Sequence, residues 1–207
     1  MQDRTYTRRA DRKWIAGGLL LLALASASAC GHTNTTGRSS TYLIMDSLQG
    51  ASGYKPDTFS TVLQADVQTK GGIYEDPGKV EMRIALKDPG TAASPNAPTT
   101  SNFITVTRYH VAFRRSDGRN TQGVDVPWAF DGAATGTIAD TGTSLVFVLV
   151  RGQAKLEAPL SQLRGSGGAL IISTLADVTF YGRDQNGNEV SVTGTISVNF
   201  ADWADPT

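Results

Sequence analysis

The chain predicts an all-β fold, a two-sheet antiparallel β-sandwich of about eight strands with little helix beyond an N-terminal segment. Three observations lead there. Val80, Met82, Ile84 and Leu86 alternate with Glu81, Arg83, Ala85 and Lys87, the period of a strand with one face on a core and the other in water. Residues 103–113 form a second run of strand formers. Near the C-terminus two alternating runs flank Asn186-Gly187, the strongest short-range hairpin signal.

The elements follow in order. Residues 41–48, TYLIMDSL, open the fold as an edge strand, and 50–57 are turn chemistry. Residues 62–69 read as a weak strand ended by Lys70-Gly71-Gly72, and Asp88-Pro89-Gly90 stops the strand over 80–87. Residues 91–102, rich in Pro, Thr, Ser and Ala, form a long loop with nothing to bury, a length that marks either function or disorder. Within 103–113, strict alternation puts Phe103, Thr105, Thr107, Tyr109, Val111 and Phe113 on one face, with Ile104, Val106, Arg108, His110 and Ala112 on the other. Residues 124–131 begin like a strand, but Pro127 demotes them to an edge or loop.

Residues 144–150, SLVFVLV, are nearly all apolar and predict the most buried strand. Leu156, Leu160 and Leu163 have the spacing of a single helical turn around Pro159. Glycine-rich 165–168 leads to a strand over 169–173 and then to the final hairpin. There Val190, Val192, Ile196, Val198 and Phe200 share a face, opposite Ser191, Thr193, Thr195, Ser197 and Asn199. The segment from Phe180 to Phe200 resembles the last hairpin of bacterial Ig-like domains. That resemblance implies an Ig-like sandwich over 41–207, although the Cys…Trp…Cys signature of true Ig domains is absent.

Compartment is written at the other end. Residues 14–30, WIAGGLLLLALASASAC, follow Arg8, Arg9, Arg12 and Lys13 and close on small residues and the only cysteine. A basic start, an apolar run and a small-residue end make an export signal over 1–29. The apolar run is short of the ~20 residues of a spanning helix. Ala27-Ser28-Ala29-Cys30 resembles the lipobox of bacterial lipoproteins, where the cysteine is diacylated and becomes the mature N-terminus. That resemblance implies cleavage between Ala29 and Cys30 and lipidation of Cys30, with 30–40 as a flexible polar tether. Ala27-Ser28-Ala29 also fits an ordinary signal peptidase, which would leave Cys30 a free thiol. Lipidation gives the better account of a lone cysteine in an oxidising compartment. Residues 7–13 resemble a twin-arginine motif, but Asp11 and Arg12 stand where apolar residues belong, and ordinary export suffices. The expected location is extracytoplasmic, at the outer membrane or the periplasmic face, with the lipid on Cys30 as the membrane contact.

Setting aside residues 1–29 turns 19 basic and 19 acidic side chains into 14 and 17. No basic field remains to attract nucleic acid. His32 lies in the tether, so His110 is the one histidine of the predicted domain, and neither HExxH nor G-x-S-x-G occurs. Residues 72–79 miss the phosphate-loop spacing. Asp184, Asn186 and Asn188 alternate as in a calcium loop, without its distal Glu, and equally suit a tight turn. No catalytic residue, cofactor or metal site is assigned.

Trp128 and Phe130, with Tyr54 as a possible companion, are a candidate aromatic platform. Arg108 and Arg114, with Arg115 and Arg119, are a candidate basic surface for an acidic glycan or a lipid headgroup. The expected function is therefore a non-catalytic, lipid-anchored binding or structural module, with an envelope protein or glycan as partner and loops 88–102 and 124–132 as first candidates. The alternatives are an envelope hydrolase using carboxylates such as Asp117, Asp125 or Asp131, and an assembly subunit that works through an edge strand.

Overall fold

The computed structural model describes residues 37–203 and 205. The proposed leader 1–29, the cleavage point at Ala29 and Cys30, and the start of the tether lie outside the described residues.

The described chain is mostly β. Its strands are β1 (Thr41–Gly50), β2 (Val62–Asp66), β3 (Asp76–Leu86), β4 (Gly90–Thr91), β5 (Ser94–Pro95), β6 (Ile104–Arg114), β7 (Phe130–Ile138), β8 (Thr143–Val150), β9 (Ile172–Asp184) and β10 (Glu189–Ala201). A short helix α1 (Gly152–Leu156) and a 3-10 turn (Leu160–Leu163) connect β8 to β9. One sheet has the order β1-β3-β8, and a curled second sheet has the order β2-β10-β9-β6-β7. Within the two sheets every pairing is antiparallel except that of β2 with β10.

One hydrophobic core draws on both sheets, with Val80 and Met82 of β3 and Leu149 of β8 beside Val111 of β6, Val178 of β9 and Val198 of β10. Phe147 of β8 meets Phe180 of β9 edge-on at 5.1 Å and Tyr109 of β6 at 5.0 Å between ring centres. Phe113 packs edge-on against Phe200 at 5.7 Å. Such pairs add roughly 0.5–1.5 kcal/mol to the area they bury. The final hairpin forms as its pattern predicts. Its turn is closed by Asp184, whose carboxylate accepts the Asn186 and Asn188 amides, while Gly187 takes φ 83°, a region glycine enters at little cost.

Four expectations need correction. The two faces of β6 do not alternate throughout: Ile104 and Val106 are buried together with Tyr109, Val111 and Phe113. A bulge lies between Val106 and Arg108, which pair with the adjacent residues Gly182 and Tyr181 of β9. Thr107 is the extra residue, and one extra residue reverses the facing of everything after it. Second, 144–150 is not the most buried strand: three residues of β8 are buried, against six of β9 and five of β3. Val146 is 64% exposed, because β8 ends its sheet and alternates like any half-wet strand. Third, residues 124–129 form a loop, in keeping with Pro127, but the strand Phe130–Ile138 that follows them was not expected. Fourth, loop 91–102 holds structure of its own, the β4–β5 pairing and a 3-10 turn at Thr100–Asn102. The helical spacing of Leu156, Leu160 and Leu163 falls on two short pieces on either side of Pro159; Leu160 and Leu163 are buried, whereas Leu156 is half exposed.

Candidate functional site

The outer face of the five-stranded sheet gathers most of the polar chemistry. After the bulge, Arg108, His110, Ala112 and Arg114 of β6 point outward, and the register sets them beside Tyr181, Thr179, Asp177 and Leu175 of β9. Strand β10 continues these rows with Ser191, Thr193, Thr195 and Ser197. The result is a lattice of cross-strand pairs.

Arg108 lies on Tyr181, its guanidinium carbon 3.7 Å from the ring centre. Asp131 of β7 sits 3.6 Å from Arg108 Nη1 and 3.2 Å from His110 Nδ1. Thr179 and Thr193 share a hydroxyl hydrogen bond of 2.8 Å. Arg114 Nε donates to Asp177 at 2.7 Å, and the Thr195 hydroxyl donates to the same carboxylate at 2.6 Å. Burial pushes the Asp177 carboxyl up, but the bonds from Arg114 and Thr195 outweigh it and leave it below its ordinary value. At one end Arg183 pairs with Glu189 at 3.0 Å. Between that row and the Arg108–Tyr181 row runs a groove of about 240 Å³, lined in part by Thr107 and Ser191.

The residues singled out from sequence are distributed as follows. Arg108 and Arg114 both stand on this face, but in different states. Arg114 is hydrogen-bonded to Asp177 at 2.7 Å, whereas Arg108 forms a longer ion pair with Asp131 at 3.6 Å. Arg115 and Arg119 both bind Asp117, whose carboxyl is held far below the usual range, chiefly by the Arg115 bonds and then by the Arg119 amide. Trp128 is 52% exposed, with its indole against Gly123. Phe130 is 8% exposed and turned into the core, capped by the Arg151 guanidinium 4.4 Å above its ring. The two therefore do not form one exposed platform. Tyr54 packs edge-on against Tyr74 instead.

The three carboxylates considered for catalysis are each engaged. Asp117 holds two arginines, Asp125 accepts the Thr121 amide, and Asp131 lies between Arg108 and His110. Asp184 accepts two backbone amides and the Asn188 side-chain NH₂, so Asn188 directs a donor, not an oxygen, at that carboxylate. Among the described residues no group of three His, Cys, Asp or Glu is placed to hold a metal ion.

Sequence reasoning missed two features. Tyr181 was visible only as an alternate position of β9, since its partner is set by the Thr107 bulge. The other is an ion pair inside the molecule. Lys155 of α1 and Asp76 at the start of β3 are 1% and 0% exposed and 2.8 Å apart, and Asp76 also accepts the Gly53 amide at 2.8 Å. Burial pushes the Asp76 carboxyl up to about 6, although Lys155 draws it down.

No helix among the described residues is long and apolar enough to cross a membrane. No family model matches the chain, and neither a curated protein nor a solved structure matches it.

Proposed function

We propose that the chain is a lipid-anchored module of a bacterial cell envelope. Residues 1–29 export it, acylated Cys30 holds it at a membrane surface, and the body beyond 41 is a non-catalytic Ig-like sandwich that binds through its outer five-stranded face. Two acyl chains make attachment stable where one is marginal.

Strand order supports the Ig-like part of this reading. β3 and β8 are neighbours in one sheet, as strands B and E are reached in Ig domains. β6, β9 and β10 lie together in the other, as C, F and G do, with β7 beside β6 in the place of C′. The observation that carries the binding role is the ordered array on the outer face, where Arg108–Tyr181, His110–Asp131, Arg114–Asp177 and Thr179–Thr193 are fixed in register. Carboxylates tied to arginines favour recognition over proton transfer near neutral pH.

A second reading, assembly through an edge strand, draws on β8. That strand ends its sheet, carries no charge and exposes Val146, whereas natural edges are usually guarded by charge or proline.

Fractionation of cells making the wild type and Cys30→Ala tests the anchored reading. The wild type is expected in the membrane pellet, released only by detergent, and the variant is expected to lose that attachment. A wild-type chain recovered in the cytoplasm overturns it.

A further inference from the structure

The groove beside Arg108 has the chemistry of a specific ligand. Of the three arginines on the outer face, Arg114 is bound by Asp177 and Arg183 by Glu189. Arg108 is held differently. Its guanidinium carbon lies 3.7 Å from the Tyr181 ring centre, and its ion pair with Asp131, at 3.6 Å, is longer than a hydrogen bond. A guanidinium held over an aromatic ring and only loosely paired with an acid still has N–H groups to offer a planar oxyanion.

The rest of the lining says what else the ligand carries. Thr107 and Ser191 offer hydroxyls, and the Arg183–Glu189 pair offers donors and a carboxylate acceptor. Two acidic groups nearby, Glu189 and Asp131, oppose a multiply charged anion such as a phosphate ester. They favour one negative charge accompanied by neutral hydroxyl donors. A space of about 240 Å³ lies just below the ~300–1,000 Å³ of common ligand sites, which suits one sugar ring.

We propose that this groove binds a carboxylate-bearing sugar residue, with the carboxylate on the Arg108 fork and the ring hydroxyls on Thr107, Ser191 and the Arg183–Glu189 pair. The proposal rests on the outer face being the binding face, and it names the ligand class for that face.

The test is ligand-observed saturation-transfer NMR on the full chain in detergent micelles. The probes are methyl glucuronide, its neutral amide, methyl glucoside and inorganic phosphate. The acid is expected to bind at least tenfold more tightly than the amide or the glucoside, and phosphate is expected to compete poorly. Arg108→Ala and Arg108→Lys are each expected to weaken the acid tenfold or more, since Lys keeps the charge without the fork or the stack. Arg114→Ala is expected to bind as the wild type. Equal binding of acid and amide, unchanged binding by Arg108→Ala, phosphate competing as well as the acid, or no transfer from any sugar overturns the proposal.

Photo-crosslinkers placed at Thr193 and Thr195, outside the groove on the same face, separate the two levels of failure. Contacts captured there in intact envelopes without sugar binding remove the ligand assignment alone. Their absence, together with no sugar binding, removes the binding-face reading as well.

Discussion

Replacing Lys155 by Met removes one half of the buried ion pair and leaves Asp76 with a single donor, the Gly53 amide. Both side chains are essentially out of water, so no solvent replaces the lost ammonium. Breaking one partner of such a pair costs about 3–5 kcal/mol, a large part of the ~5–15 kcal/mol that holds a domain together. The cost depends on pH in a definite direction. In the wild type the Asp76 carboxyl is raised from 3.8 to about 6. The folded state therefore binds more protons than the unfolded state between about pH 4 and pH 6, and this group's contribution falls as pH rises through that window.

Without Lys155 the carboxyl loses the charge that draws it down, so its titration moves higher still. Urea unfolding at pH 5 and pH 8 checks this. Lys155→Met is expected to cost about 3–5 kcal/mol at pH 8 and less than half of that at pH 5, where the carboxyl is neutral. The double variant Asp76→Leu/Lys155→Met is expected to recover most of the loss, short of the roughly 1–2 kcal/mol for the orphaned Gly53 amide. A loss below about 1 kcal/mol at pH 8, or the same loss at both pH values, refutes the buried pair as described.

Three smaller perturbations follow from the same packing. Tyr109→Phe deletes the acceptor of the Val148 amide and is expected to cost about 1–2 kcal/mol by urea unfolding, without changing the sheet content seen by circular dichroism. Gly132→Ala drives a methyl group into the Tyr109 ring and is expected to cost about 1–3 kcal/mol by the same assay; combined with Tyr109→Ala the added methyl is expected to cost much less. Val146→Lys places a charge on the open β8 edge and is expected to leave stability within about 0.5 kcal/mol. In sedimentation it is expected to abolish any self-association that the wild type shows.

Much of the strand layout was legible because it obeys local rules. The β9–β10 hairpin is set by Asn186-Gly187 and by two strictly alternating arms, so its register needed no tertiary information. Strand β3 announced itself in the same way. What was hidden depends on partners distant in sequence. The facing of β6 changes at Thr107, and a bulge leaves no mark in a run whose residues suit either face. Strand β7, FDGAATGTI, is built of small residues that fit beneath neighbours such as Tyr109 and Leu145, and small residues carry little β signal of their own. A buried lysine breaks the usual expectation for its type, and only the approach of Asp76 from β3 makes it tolerable. At the site, Arg108 and Arg114 were recognisable as basic positions. Their difference, one neutralised by Asp177 and one stacked on Tyr181, exists only in the cross-strand register. Trp128 and Phe130, two apart with one residue between, read alike in sequence; the start of β7 at Phe130 sends one inward and leaves the other in the loop.

The proposal that the chain works at a membrane surface stands or falls on its mature N-terminus. Intact-mass and N-terminal peptide spectrometry of the native product measures that end directly. The account predicts a chain that begins at Cys30 and carries the added mass of a diacylglyceryl group. A product that still begins at Met1, or that begins at Cys30 with an unmodified thiol, contradicts it.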